Sequence, residues 1–327
     1  MTGLRRLGAT AANAAGLLLA VVVLNFLLIQ AAPGDPAQVI AGEMGGASPE
    51  IMAEIRTRYG LDRSLPEQLA TYVGKVVRGD LGYSFYFNEP VSRLILGRLP
   101  ANALLVLSSL GLAVLAGAGL GILGARRPNG LVSHAVSLVA IAGNAAPVFW
   151  TGLMLLVVFA SLWPVLPVAG MEDVAIPRHG LAYGLDVAQH LVLPALTLGI
   201  VYVAQYSRLM RASMIDALNA DYVRTARAKG LPERIVIGKH ALRNALIPLV
   251  TMVGLQFGQL FAGAILVETV FAWPGLGRLT FDSILRRDYP TLLGILFCSA
   301  LLVIAANLVT DLLYRLIDPR IRAGRPA

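Results

Sequence analysis

Few side chains in this sequence are spaced for chemistry, and the first to weigh are glycines. Gly119, Gly121 and Gly124 match G-x-G-x-x-G, the turn that lays backbone N–H groups against a dinucleotide pyrophosphate. That chemistry needs a strand before the turn, a helix after it and an acidic residue about 20 positions on. Here the motif lies inside an apolar run, and Arg126 and Arg127 follow it. Gly117, Gly121 and Gly124 are better placed to let a second helix approach closely, and Gly254 and Gly258 invite the same reading. No G-x-x-x-x-G-K-[ST] stretch and no G-x-S-x-G stretch occurs. His134, His179, His190 and His240 are scattered without metal-ligand spacing, and Cys298 is the only thiol. Neither a metal centre nor an intrachain disulfide is expected.

Two groups of polar residues remain. Asn144, Gln205, Gln256, Gln259 and Asn307 fall in or beside apolar runs, where they either line a polar path or hydrogen-bond between helices. Glu268 and Asp311 lie near the ends of such runs, close enough to an interface to be solvated or paired. There is no series of acids spaced for a proton relay. The second group is the basic stretch 221–248, DYVRTARAKGLPERIVIGKHALRNALIP, set between two apolar runs. Its pattern predicts two short helices and a hinge. Asp221 is placed to N-cap the first helix, Arg227 and Lys229 fall in its last turn, Gly230 suits a left-handed stop, and Pro232 suits the next first turn. Charge leaves two readings open, a docking surface for a cytoplasmic partner or a solvated loop with stop-transfer charges.

The elements that must hold these residues are set by composition. The chain has 327 residues, 57% hydrophobic and only 14% charged. A soluble domain carries roughly a quarter of its residues as charged groups, so this is an integral membrane protein. The net charge of +8 sits at the flanks of apolar runs, where orientation in a membrane explains it better than nucleic acid does. Six runs are long enough to cross the hydrocarbon core, at roughly 7–32, 101–124, 134–160, 191–212, 245–271 and 290–314. The first also resembles a signal peptide, but it is long for one, and an uncleaved helix is expected. Lys and Arg concentrate at one set of ends: Arg5 and Arg6, Arg126 and Arg127, the stretch 208–243, and Arg315 onward. Both termini and the basic stretch are therefore read as cytoplasmic.

The resulting organisation is a first helix at 1–32, an external loop at 33–100, and a five-helix core at 101–327 that includes a cytoplasmic loop at 213–244. Leu65, Leu69, Tyr72, Val73 and Val76 recur at helical spacing, so the external loop is read as a small cap of two or three short helices. No tandem repeat and no inverted pair of halves is visible, which counts against a stand-alone secondary carrier, the competing reading from another class.

At the basic stretch the sequence resembles a known family. Arg224-Thr225-Ala226, with Gly230 four residues after the alanine, resembles the EAA loop of binding-protein-dependent ABC importer permeases. More narrowly, it resembles the first of the two permeases of dipeptide, oligopeptide and nickel uptake systems. The resemblance extends along the chain through Pro33-Gly34-Asp35-Pro36, Leu61-Asp62-Arg63, Arg78-Gly79-Asp80-Leu81-Gly82, Pro147-Val148-Phe149-Trp150, His190-Leu191-Val192-Leu193-Pro194, Glu268-Thr269-Val270-Phe271, Trp273-Pro274-Gly275-Leu276-Gly277 and Asp311-Leu312-Leu313-Tyr314. Arg224 stands where the general loop has a glutamate, and Arg243 stands near its expected proline, with Pro248 further on.

The resemblance implies an all-α integral membrane protein of six transmembrane helices, the type I ABC importer permease fold, in the bacterial plasma (inner) membrane. It implies a second homologous permease, two ATP-binding subunits that carry ATP and Mg, and an extracytoplasmic solute-binding protein. This chain would then be no enzyme by itself and would bind no cofactor and no nucleic acid. Asp221, Arg224, Thr225, Ala226, Arg227, Lys229, Gly230 and Leu231 would form the coupling helix and its exit. Arg224, Arg227 and Lys229 would pair with groups in a groove of the ATPase. Arg78, Asp80, Trp273, Pro274 and Gly275 would face the solute-binding protein. Peptides are the expected cargo; nickel is disfavoured because the runs hold no metal-ligand cluster, and glutathione stays open.

Overall fold

The computed structural model describes residues 2–31, 48, 52–53, 56–57, 62–84, 86–126, 128 and 130–317. Most of 33–61, with the Pro33-Gly34-Asp35-Pro36 motif and Leu61, lies outside the described residues, as do the side chains of Asn144, Gln259 and Asp311. The described chain is mostly helical. Among the described residues, three helices are long and apolar enough to cross a membrane: Val91–Arg126, Leu181–Asn219 and Tyr289–Thr310. The chain divides into two compact units, Met1–Pro100 with Leu279–Ile304 and Ala101–Arg278 with Ala305–Ala327.

In the first unit, α1 (Thr2–Ala31) packs along α2 (Leu65–Val77). The rings of Phe26 and Tyr72 lie 6.2 Å apart, and Gln30 donates to Gln68 at 3.1 Å. Pro66 starts α2 with its fixed φ, and the Ser64 N–H donates to Glu67 at 3.3 Å. The helix stops where Gly79 turns left-handed at φ 79°. A short antiparallel hairpin follows, β1 (Tyr83–Ser84) and β2 (Glu89–Pro90), with Tyr83 opposite Pro90. Asp288 accepts from the Thr291 backbone N–H at 3.3 Å, capping α12 (Tyr289–Ile317), and from the Ser84 hydroxyl, tying that helix to the hairpin. Asn25 is buried in α1 and donates to the Leu293 carbonyl at 3.1 Å. Of the expected external helices, α2 lies wholly within the described residues, and residues 52–53 and 56–57 are helical as well.

The second unit is organised on α3 (Val91–Arg126, from Ala101 onward) and α6 (Leu181–Asn219). The expected glycine contact is present. A Cβ on Gly117 would lie 2.7 Å from Tyr206 Cβ, and one on Gly121 would lie 2.6 Å from Met210 Cβ. The G-x-G-x-x-G triplet is thus mid-helix, with no strand-to-helix turn; Gly121 and Gly124 face α6, whereas a Cβ on Gly119 would meet nothing within 4 Å. Gly254 on α9 (Leu242–Gly263) likewise faces Thr310 of α12 with no room for a side chain.

Two expected spans differ in form. The 134–160 run is α4 (Leu131–Ala145), α5 (Val148–Leu156) and a π-helical stretch Val157–Leu162. The break is at Ala146, which is extended (φ −84°, ψ 136°) ahead of Pro147. Proline crowds the α conformation of the residue before it and brings no N–H of its own. The 245–271 run breaks at Ala264 into α9 and α10 (Ile265–Val270). The 191–212 run, interrupted by Tyr202, Gln205 and Tyr206, lies inside the continuous 39-residue α6. Tyr206 is fully buried there, and Gln205 is hydrogen-bonded, so these polar groups point into protein.

Candidate functional site

The basic elbow is built by backbone geometry at both ends. α6 ends at Asn219, and Ala220 is extended at φ −72°, ψ 150°. Ala220 is the N-cap of α7 (Asp221–Ala228), its carbonyl accepting from Val223 at 3.0 Å and Arg224 at 3.2 Å. The expectation that Asp221 is the cap is corrected here. Asp221 is the first helical residue, where its charge complements the N-terminal dipole without a capping hydrogen bond. At the other end, Gly230 is left-handed at φ 74°. Its N–H donates to Arg227 O at 2.9 Å, and Leu231 N–H donates to Ala226 O at 3.4 Å, the paired closure of a Schellman stop. Pro232 caps the next helical run, which starts as α8 (Glu233–Ile235) and passes through a π-helical stretch, Val236–Ala241, into α9. Of the two short helices expected over 221–248, the first is α7, and the second is not short: the return arm is the start of one continuous helical run.

α7 has two distinct faces. Val223 and Ala226 are buried, packed with the Val236–Ala241 stretch and the end of α6. Asp221, Tyr222, Arg224, Thr225, Ala228 and Lys229 are exposed, and Leu231 is half-buried. Arg224 lies 3.6 Å from Asp221. Arg227 is engaged within the chain. It donates to Glu233 at 2.7 and 3.2 Å and to the Leu218 carbonyl at 3.4 Å, joining α6, α7 and α8.

The Arg227 hydrogen bonds, reinforced by its charge, hold the Glu233 carboxyl below its ordinary range. A carboxyl with a depressed folded value contributes stability above its ordinary range and loses it as pH falls through the folded value. Amide exchange at 227–233, corrected for intrinsic rates, is expected to be slower at neutral pH than in acid and to quicken in high salt, since the pair is exposed. Exchange insensitive to both would show that the pair does not hold the turn.

The other sequence candidates are distributed. Gln256 donates to Gln205 at 2.8 Å between α9 and α6, and the Gln256 carbonyl oxygen is buried without a partner. Asn307 is exposed on α12. Arg78 and Asp80 are exposed after α2, with Asp80 accepting from Gly82 at 3.0 Å. Trp273 has no accessible surface, and its indole N–H donates to the Ala101 carbonyl at 2.9 Å. Gly275 abuts the Glu268 carboxylate. Of this loop's named residues, Pro274 is the one with surface to offer, so contact through the Trp273 indole is not what the geometry supports.

Sequence reading missed two features. Glu268, read as lying near an interface, is fully buried and hydrogen-bonded. A cavity of about 430 Å³ near the start of α6 is lined by Arg178, Asp186 and His190 among others, with Arg178 on Asp186 at 2.7 Å. Nothing in the spacing of these residues signals either. Among the described residues, no group of His, Cys, Asp and Glu is placed to hold a metal ion.

Residues 117–323 match the family described as binding-protein-dependent transport system inner membrane component, and residues 4–106 match the N-terminal region of such components. The chain is 41% identical over 319 residues to the di/tripeptide transport system permease protein DppB of Pseudomonas aeruginosa, covering 93% of this chain and 95% of that protein. It is 39% identical over 336 residues to the dipeptide transport system permease protein DppB of Escherichia coli K12, covering 98% of each. It is 41% identical over 305 residues to the glutathione transport system permease protein GsiC of Pectobacterium atrosepticum, covering 93% and 94%.

Proposed function

The chain belongs to the family of binding-protein-dependent transport system inner membrane components, and on that premise we propose that it is the permease subunit of an ATP-driven importer of di- and oligopeptides. It forms half of a translocation path with a second, homologous permease. Two cytoplasmic ATP-binding subunits supply the energy, and an extracytoplasmic solute-binding protein delivers the cargo. The chain crosses the inner membrane six times with both termini inside, and the 33–100 region caps the outer side. The peptide cargo rests on the names of the relatives at about 40% identity; glutathione, itself a peptide, is the runner-up through its own relative.

The observation that carries the coupling role is the two-faced α7. One face is pinned by Val223 and Ala226, and the other is free to dock. A short helix clamped at both ends moves as a rigid body with the helices it joins. Closing of the ATPase pair would then be passed to α6 and α9 as one displacement.

Two measurements test the reading. Affinity purification of the tagged chain is expected to bring down an ATP-binding subunit, and a permease that purifies alone and transports without one would favour a secondary carrier. Single cysteines at Arg78, Asp80 and Pro274 are expected to crosslink to the solute-binding protein, whereas cysteines at Tyr222 and Arg224 should crosslink to the ATPase. The reverse pattern would invert the orientation.

A further inference from the structure

The loop between α10 and α11 (Leu276–Arg286) leads into that helix through a glycine. Gly275 precedes α11, where a side-chain oxygen ordinarily accepts from the first turn, and glycine has none to offer. Glu268 supplies it from α10. Its Oε2 accepts from the Arg278 backbone N–H, in the first turn of α11, at 2.9 Å. Its Oε1 accepts from Asn102 Nδ2 at 2.9 Å. A Cβ on Gly275 would fall on this carboxylate, and one on Gly277 would lie 3.1 Å from Oε2. The loop is stitched further by Trp273 N–H on Glu268 O at 2.8 Å and by Arg278 Nη1 on Ala272 O at 2.6 Å. Ala272 is itself left-handed at φ 50°. The neighbours Ala101 and Asn102 on α3 thus hold the loop at two points, one through the Trp273 indole and one through Glu268.

A carboxylate with no accessible surface is costly unless every oxygen is used. Here it is placed at the positive end of a helix, which favours the charge. We propose that Glu268 is a positioning residue. Its carboxylate caps α11 and locks the 271–277 loop onto α3, so that the loop meets the solute-binding protein in one conformation. This rests on the reading that the loop faces that protein. An unlocked loop would have to be ordered on contact, and that cost falls on association rather than on turnover.

The test uses the assembled complex with Cys298→Ser and Leu276→Cys, since Leu276 is buried at the start of α11. The thiol is expected to resist a membrane-impermeant maleimide. Adding Glu268→Leu should speed labelling roughly tenfold, by local opening of the loop. Glu268→Gln should act in the same direction but less, because the unpartnered Asn102 Oδ1 gives a glutamine N–H an acceptor after an amide flip. In the parent protein with either substitution, the KM for liganded solute-binding protein in stimulated ATP hydrolysis should rise severalfold, with kcat within about twofold. Unchanged labelling in both variants overturns the proposal, and so does faster labelling with an unchanged KM. Because Glu268→Gln preserves volume, it serves if Glu268→Leu fails to assemble. Failure of the underlying reading is separate. A Pro274→Cys thiol that never crosslinks to the solute-binding protein would refute the loop's partner while leaving the labelling result intact.

Discussion

Replacing Ala226 with tryptophan is expected to uncouple the assembled importer: peptide uptake and substrate-stimulated ATP hydrolysis fall together, while ATP-binding subunits still co-purify with the permease. Ala226 is 4% exposed and Val223 is fully buried. Together they are the face by which an eight-residue helix is held. A helix that short is not stable alone, so its orientation comes from this packing and from its two ends. Forcing a large side chain into such a seam costs typically about 1–3 kcal/mol, more than enough to tilt α7 off the Val236–Ala241 stretch. A shift of about 1.4 kcal/mol between docked and displaced forms is tenfold in population, so uptake should drop by roughly an order of magnitude. Gly230 gives a second, gentler probe. Nothing lies within 4 Å of a Cβ placed there, so Gly230→Ala acts through the left-handed backbone alone, at about 1–2 kcal/mol. Its effect should be partial, and Gly230→Val should be worse, because β-branching disfavours that conformation further. Uptake and stimulated hydrolysis unchanged in the Ala226 variant would remove α7 from the coupling path.

These two positions also show what a single sequence reveals. Gly230 was legible because a left-handed stop is a local backbone event, and the residue types around it state it. Asp221 was misplaced by one position because a cap depends on where the turn falls, and Ala220 can make that turn with its carbonyl alone. Arg227 looked like a free cation for a partner. Its carboxylate partner Glu233 is only six positions away, but the left-handed turn at Gly230 is what brings the two together. Gln205, Tyr202 and Tyr206 interrupt the apolar 191–212 run, because hydropathy counts a polar side chain without knowing what it faces. The interruption disappears once Gln256 is seen opposite Gln205. Glu268 and Trp273 were the least legible of all. Their partners Asn102 and Ala101 are 166 and 172 positions away, and no local pattern joins them. The break at Ala146 stands between these cases. Pro147 announced it, but an apolar run of spanning length argued for continuity, and the backbone followed the proline.

The glycine triplet supplies the second large effect, because neighbouring glycines of one motif meet opposite surroundings. Gly121→Leu is expected to disrupt the second unit. A Cβ there would already lie 2.6 Å from Met210 Cβ and 2.8 Å from the Ser207 carbonyl, and both belong to α6. Backbone cannot be pushed aside as a flexible side-chain tip can, so α3 and α6 must separate along the seam where Tyr206, Ser207 and Met210 are buried. The penalty therefore exceeds the about 1–3 kcal/mol of ordinary overpacking. It should appear as loss of the purified complex, or as a lower unfolding temperature where some assembles. Gly119→Leu is the matched control. Nothing lies within 4 Å of a Cβ at Gly119, so the substitution adds apolar surface to an exposed helix face and raises helix propensity. It should leave assembly and transport near normal. A nucleotide-binding turn would show the opposite economy, since each of its glycines serves a phosphate contact or a tight turn and both substitutions would damage it. Equal damage at both positions would therefore overturn the packing assignment, whereas damage confined to Gly121 means that Gly121 belongs to the surface on which α6, the helix leading into the elbow, is seated.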